Sequence, residues 1–318
     1  VGGIIKRGLQ KGLLLTWSLG KIIFPVTLIV TILRFTPILP YIMNAISPIM
    51  KWIGLPGEAA IPLVLGNFLN LYAGIGAIVS FDFTVKEVFI LAVMLSFSHN
   101  LLIESSVASR VGVSWWLISG IRLSLAFISA ILIHVLWPGG QEMAQYGLVQ
   151  QQGADPETYL GILWLGIKNA SMSIIQLALI VIPLMVVMQW LKEKHWLERF
   201  SRWLAPFTKV LGVERNASTT LVAGLTIGLA YGAGLMMDAV KEDGVSRKDM
   251  YLSLIFLVSC HAVVEDTLIF IPLGIPIWPL LVIRLTTAIV LTAIVGFIWN
   301  RFFTKRKDAS YDHSYPTL

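Results

Sequence analysis

Apolar stretches long enough to cross a bilayer recur along this chain. Residues 12–34 read GLLLTWSLGKIIFPVTLIVTILR, and residues 163–191 read LWLGIKNASMSIIQLALIVIPLMVVMQWL. A helix rises about 1.5 Å per residue, so about 20 apolar residues cross a hydrocarbon core roughly 30 Å thick. A soluble helix keeps a polar face, and most of these runs have none. Only 13% of the residues are charged and mean hydropathy is +0.79, against about 25% charged in soluble domains. The chain reads as an all-α polytopic membrane protein whose first partner is the lipid bilayer.

The net charge of +6 belongs to residues gathered between the apolar runs. There they orient a chain in the membrane, and no nucleic-acid module accompanies them. Cys260 is the only cysteine, so an intrachain disulfide is excluded. The first apolar run reads as a retained helix rather than a cleaved leader.

The chain repeats itself. An offset of 158 takes Pro25 to Pro183, Pro48 to Pro206, Lys51 to Lys209 and Gly54 to Gly212. It also takes Gly66, Gly74 and Gly76 to Gly224, Gly232 and Gly234. The second copy then gains four residues. At an offset of 162, Lys86 meets Lys248, His99 meets His261, Glu104 meets Asp266, Gly112 meets Gly274, Trp116 meets Trp278 and Arg122 meets Arg284. These landmarks, in order with one gap, predict two homologous repeats, 1–137 and 160–305, joined by a polar loop at 138–159 and followed by a polar tail at 306–318.

Each repeat has the same expected parts. A long helix (12–34, 163–191) leads to an amphipathic stretch suited to the interface (40–54, 197–211). A Gly-interrupted segment (58–80, 216–239), an apolar run (86–109, 249–271) and a last helix (114–137, 276–300) follow. Lys6, Arg7 and Lys11 at one end, and Arg301, Lys305, Arg306 and Lys307 at the other, place both ends in the cytoplasm, while 138–159 has no Lys or Arg and falls outside. Each repeat must then cross an odd number of times, so the two are inverted. The Gly-interrupted segments are the expected re-entrant or broken pieces, because non-helical backbone at membrane depth needs protein or water cover. Inverted repeats with interrupted helices point to a transporter with a midplane site.

Ionisable residues inside such runs are costly unless paired or wetted. Yet SHNLLIESS at 98–106 and CHAVVEDTL at 260–268 both hold them. The expected solute site is His99, Asn100, Glu104, His261, Glu265 and Asp266, with Ser98 and Cys260 beside it and Arg122 and Arg284 as counter-charges. Those arginines equally suit structural ion pairs, and satisfied core positions are the second reading of the histidines. On a continuous helix His261 and Glu265 share a face. His99 and Glu104 stand about 140° apart, so a break near Ser98–Asn100 is predicted to bring them together, and a like break is expected at VSCH (258–261), since SFSHN and VSCH are both rich in small polar residues. Gly66, Asn67, Asn70, Tyr72 and Gly74, with Gly224, Thr226, Tyr231 and Gly232, are expected to form a hairpin or polar path, although close helix packing is the more common explanation of such glycines.

These donors suit a first-row divalent ion, so His99, Glu104, His261, Glu265 and Asp266 are also the candidate metal ligands. No high-affinity motif of the HExxH kind is present. No nucleophile constellation or phosphate loop appears, and the chain is expected to be neither an enzyme nor a cofactor binder.

SHNLLIESSVASRVG and CHAVVEDTLIFIPLG, with the glycine segments before them, resemble the nucleoside-recognition or Gate family of bacterial membrane proteins, and the resemblance covers nearly the whole chain. Its relatives include concentrative nucleoside transporters and the membrane part of the ferrous iron transporter. The resemblance implies inverted repeats with hairpins around a central site in the bacterial inner membrane. The chain departs from both relatives. It shows no GTPase domain, carries histidine where the iron transporter has cysteine, and lacks most of the nucleoside transporters' extra helices. The expected function is secondary-transporter-like movement of a small polar or charged solute, nucleoside-like or cationic. The alternatives are divalent-metal transport and a non-transporting membrane scaffold whose His–acid cluster is structural. A homodimer is the expected oligomer, if any forms.

Overall fold

The architecture below is that of a computed structural model describing residues 2–145, 158–196 and 246–302, with 156, 199, 211, 221, 222, 224, 225, 228 and 229. Helices are numbered in order among these residues. The two longest, α1 (Gly2–Arg34) and α8 (Tyr159–Glu193), lie against each other and run antiparallel. Gly8 meets Val186, Gly12 meets Ile182, Gly20 meets Ile174 and Leu28 meets Gly166, one number rising as the other falls. A Cβ at Gly8 would stand 2.6 Å from the Val186 Cα, and one at Gly12 2.8 Å from the Ile182 Cα. Lipid tails supply no hydrophobic drive between helices, so backbones that approach this closely gain mainly dispersion contacts. Arg7 closes one end of the zipper on Glu193, at 2.6 Å. That pairing extends α1 ten residues before the expected start at 12.

After α1 the chain makes α2 (Ile38–Trp52), whose Tyr41, Ile49 and Trp52 remain exposed. The Gly-interrupted segment then folds as two short helices, α3 (Ala60–Phe68) and α4 (Leu71–Ile78). A Cβ at Gly74 would reach 3.0 Å from the Gly66 Cα, so the two helices fold back on each other at their glycines. At about 1.5 Å per residue neither can span a bilayer alone.

The core belongs to α5 (Val85–Ser98) and α9 (Arg247–Ser259), which are buried on nearly every side. Helices apolar all round belong inside a bundle. Both start in the same way. Thr84 accepts from the Glu87 N–H at 3.3 Å while its own N–H donates to Glu87 at 2.8 Å, and Ser246 accepts from the Asp249 N–H at 3.1 Å. The first cap is reciprocal and the second is one-sided on the backbone, and each satisfies a donor that a helix leaves open at its first turn. Helix α6 (Leu101–Ser109) and the single turn α10 (Glu265–Leu268) follow, then α7 (Trp115–Leu136) and α11 (Ile277–Phe302).

The expected runs 86–109 and 249–271 are therefore each broken, near residues 99 and 261. Among the described residues, five stretches are long and apolar enough to cross a membrane: Gly2–Arg34, Val85–Ser109, Trp115–Leu136, Tyr159–Glu193 and Ile277–Arg301. The protein is a multi-pass membrane protein, in contact with lipid, and no strand occurs among the described residues. The expected second amphipathic stretch and second Gly-interrupted segment (197–211, 216–239) lie almost wholly outside the described residues, as does the 306–318 tail.

Candidate functional site

Where α5 ends, His99 still donates its N–H to the Leu95 carbonyl at 2.9 Å. The next residue, Asn100, turns left-handed at φ 52° and donates its N–H to the Gly66 carbonyl at 2.8 Å. The break is thus clipped onto the glycine hairpin, and α6 restarts with Glu104 in its first turn. The second half does the same. Cys260 donates to Phe256 at 2.8 Å, Ala262 is left-handed at φ 41° and faces the Gly224 carbonyl at 3.4 Å, and Asp266 lies in the first turn of α10. The left-handed region is costly for residues with a Cβ, so both breaks are held by their surroundings.

These breaks bring the two halves' ionisable groups together. The His99 and His261 rings lie with centroids 5.3 Å apart. Glu104 reaches His99 Nε2 at 3.4 Å, His261 Nε2 at 3.2 Å and Arg122 at 2.7 Å. Asp266 pairs with Arg284 at 3.0 Å and lies 4.0 Å from each histidine Nε2. Aspartate is one methylene shorter than glutamate, which accounts for the longer reach. Each arginine is fully buried and also clamps its own break: Arg122 donates to Phe97 O at 2.8 Å and His99 O at 2.6 Å, and Arg284 to His261 O at 2.8 Å. Buried charges need such partners, because desolvating an unpaired ion costs several kcal/mol. Each imidazole Nδ1 sits on the carbonyl four residues upstream, Leu95 at 2.7 Å and Leu257 at 2.8 Å.

A cavity of about 320 Å³ opens beside the cluster. His99, Asn100, Glu104, His261, Glu265 and Asp266 line it, with Asn70 and Tyr72 from the glycine hairpin and Gly228 from the second half. That volume is at the small end of ligand sites. The sequence pattern of the family described as nucleoside recognition, Gate, matches residues 16–115 and 174–276. This chain belongs to the Gate family. It is also 57% identical over 299 residues, 94% of this chain and 96% of the other, to the uncharacterized membrane protein YvoD of Bacillus subtilis (strain 168). No solved structure matches it. Both Gate regions end beyond the broken helices, so each contains one His–acid break.

Not every expected residue of this Gate chain reaches the cavity. Ser98 is buried and donates back to the Met94 carbonyl at 2.9 Å, and Cys260 is packed in the apolar core around α9. Neither lines the cavity, and Arg122 and Arg284 stand behind the carboxylates. Glu265 does not meet His261 as a helical i,i+4 pair, because the chain leaves helix at Cys260 and re-enters it only at Glu265. Glu265 instead accepts from the Tyr72 hydroxyl at 2.6 Å. Asn70 caps α4 by accepting from the Ala73 N–H at 3.0 Å, while Asn67 donates to Leu63 O at 2.7 Å and does not line the cavity. Gly66 and Gly224 act through their carbonyls and Gly74 through close approach. Thr226, Tyr231 and Gly232 lie outside the described residues. Gly228 was not singled out from the sequence, although the offset of 158 places it opposite Asn70.

Proposed function

We propose that this protein is a secondary transporter that moves a small polar or cationic solute by alternating access, with the His–acid cavity as its binding site. In this reading residues 1–137 and 160–305 are inverted repeats, the 138–159 loop is external and both ends are cytoplasmic, as the flanking basic residues favour. The α3–α4 hairpin is a re-entrant element.

The observation that carries the reading is the cavity itself, where buried ionisable groups from both halves face open space rather than only each other. An ion-pair network serving only as glue gains nothing from a neighbouring void, whereas transporter sites sit at the interface of repeats and use broken helices. The α1–α8 zipper supports inversion. The repeat offset of 158 turns the Gly8–Val186 contact into the Gly166–Leu28 contact, as a two-fold axis across the pair requires. The paired breaks, caps and arginine clamps follow the same relation at an offset of 162.

The test is sidedness. Leu71 lines the cavity, and in a Cys260→Ser background Leu71→Cys supplies one thiol there. An impermeant maleimide applied to right-side-out and inside-out vesicles is expected to label it from one face at a time, with the balance shifted by solute. A thiol unreactive from both faces in intact, folded protein rejects transport and leaves the cluster as structural glue.

A further inference from the structure

We propose that the cargo of this site is a first-row divalent cation, ligated by Nε2 of His99 and His261 and by the carboxylates of Asp266 and Glu104. The proposal rests on the transport reading above and names its substrate class.

The argument starts from hydrogens. A backbone carbonyl only accepts, so the Leu95 and Leu257 carbonyls, at 2.7 and 2.8 Å, hold the ring hydrogen on each Nδ1. In the neutral ring Nε2 then bears a lone pair. Both Nε2 atoms face carboxylate oxygens, which also only accept: Glu104 at 3.4 and 3.2 Å, Asp266 at 4.0 Å from each. The two ring nitrogens and the carboxylate oxygens thus meet in one buried place, with Arg122 and Arg284 on the far side of the carboxylates. His261 Nε2 is buried, with Glu104 Oε2 at 3.2 Å, and His261 is 2% exposed.

The spacing suits a metal ion. Bonds of about 2.0–2.1 Å in a tetrahedral site put neighbouring ligand atoms roughly 3.3 Å apart. His99 Nε2 lies 3.4 Å from Glu104 Oε1, His261 Nε2 lies 3.2 Å from Glu104 Oε2, and both lie 4.0 Å from Asp266 Oδ2, so a modest closure reaches that spacing. One ligand atom each from His99, His261 and Asp266 already lies within 4.8 Å of the others. The Nδ1 contact to a carbonyl is also the outer bond that metal-ligating histidines habitually make, because it fixes ring and tautomer.

The donor set narrows the ion. Imidazole with carboxylate suits zinc, iron, cobalt or manganese in their divalent states. The one thiol nearby, Cys260, is packed into apolar core away from the cavity, which removes the soft ligand that monovalent copper favours. Arg122 and Arg284 hold Glu104 and Asp266 from behind. They drain part of the carboxylates' charge, so the ion is held firmly enough to enter and loosely enough to leave.

The experiment is equilibrium dialysis of the purified full chain in detergent against Zn²⁺ and Co²⁺, with elemental analysis and, for cobalt, visible absorption. The expected result is one ion per chain and a cobalt spectrum with strong ligand-field bands. His99→Ala and His261→Ala are expected to weaken binding roughly tenfold or more. Wild-type protein that binds no more ion than a detergent blank overturns the proposal without any variant. So do monodisperse His variants that bind as wild type does. If no metal binds but a nucleoside or an amine does, the cargo is wrong and the solute site survives. If one ion binds at the histidines while the Leu71→Cys thiol stays closed to both faces, the metal site stands and transport falls.

Discussion

Glu104→Gln should be among the most destabilising single changes in the bundle, and the structure gives the size. The substitution keeps the shape and removes the charge that faces Arg122 at 2.7 Å. Arg122 is fully buried and cannot turn to water. Breaking a buried pair from one side costs about 3–5 kcal/mol, because the other charge is left uncompensated. Arg122 keeps the Phe97 and His99 carbonyls, which places the cost at the low end of that range. About 3 kcal/mol, at about 2 °C per kcal/mol for a large domain, is a fall of roughly 6 °C in Tm. The assay is thermal unfolding of purified protein in one detergent. Adding Arg122→Gln removes the stranded charge, so the double variant should regain more than half of the loss. A single variant that melts within about 1 °C of wild type, or a double variant whose losses simply add, would refute the buried pair.

Other outcomes follow from the same contacts. Gly12→Leu must push α1 off Ile182 and should cost about 1–3 kcal/mol, whereas Gly120→Ala, whose Cβ meets nothing within 4 Å, should be neutral or stabilising by up to about 1 kcal/mol; paired melting curves compare them. Ala262→Gly relieves a left-handed φ of 41° and should raise Tm, with an unchanged or lower Tm arguing against that backbone. Lys86 Nζ donates to the His134 and Trp137 carbonyls at 3.0 and 2.5 Å at the end of α7; Lys86→Met leaves those acceptors open and should cost about 1–3 kcal/mol by the same melt. Tyr72→Phe frees Glu265 and should increase maleimide labelling of the Leu71→Cys thiol, whereas unchanged labelling would mean that this bond does not restrain the cavity.

What could be read in the sequence follows symmetry. The break at residues 98–100 was legible because an apolar helix had no other way to bring His99 and Glu104 together, and its copy at 260–262 repeats the need. The arginine pairs were legible for the same reason, as charges at matched depths in matched helices. The Tyr72–Glu265 bond was not. Its members have alanine and isoleucine at the corresponding places, Ala230 and Ile103, so the repeat gave no pointer, and the contact spans 193 residues. The His261–Glu265 expectation failed because i,i+4 geometry assumes the very helix that the break interrupts. Ser98 looked like a site residue, yet a serine in the last turn of a buried helix bonds back to a carbonyl four residues earlier.

The most direct test of the solute site is a thermal-shift screen of purified protein against nucleosides, nucleobases, amines, organic acids and divalent cations. A ligand at 100 times its Kd adds about 2.7 kcal/mol to the folded state. The account predicts at least one stabilising compound, whose effect disappears in both His99→Ala and His261→Ala. No response across the panel, with both variants strongly destabilised, would contradict it and make the cluster a structural brace.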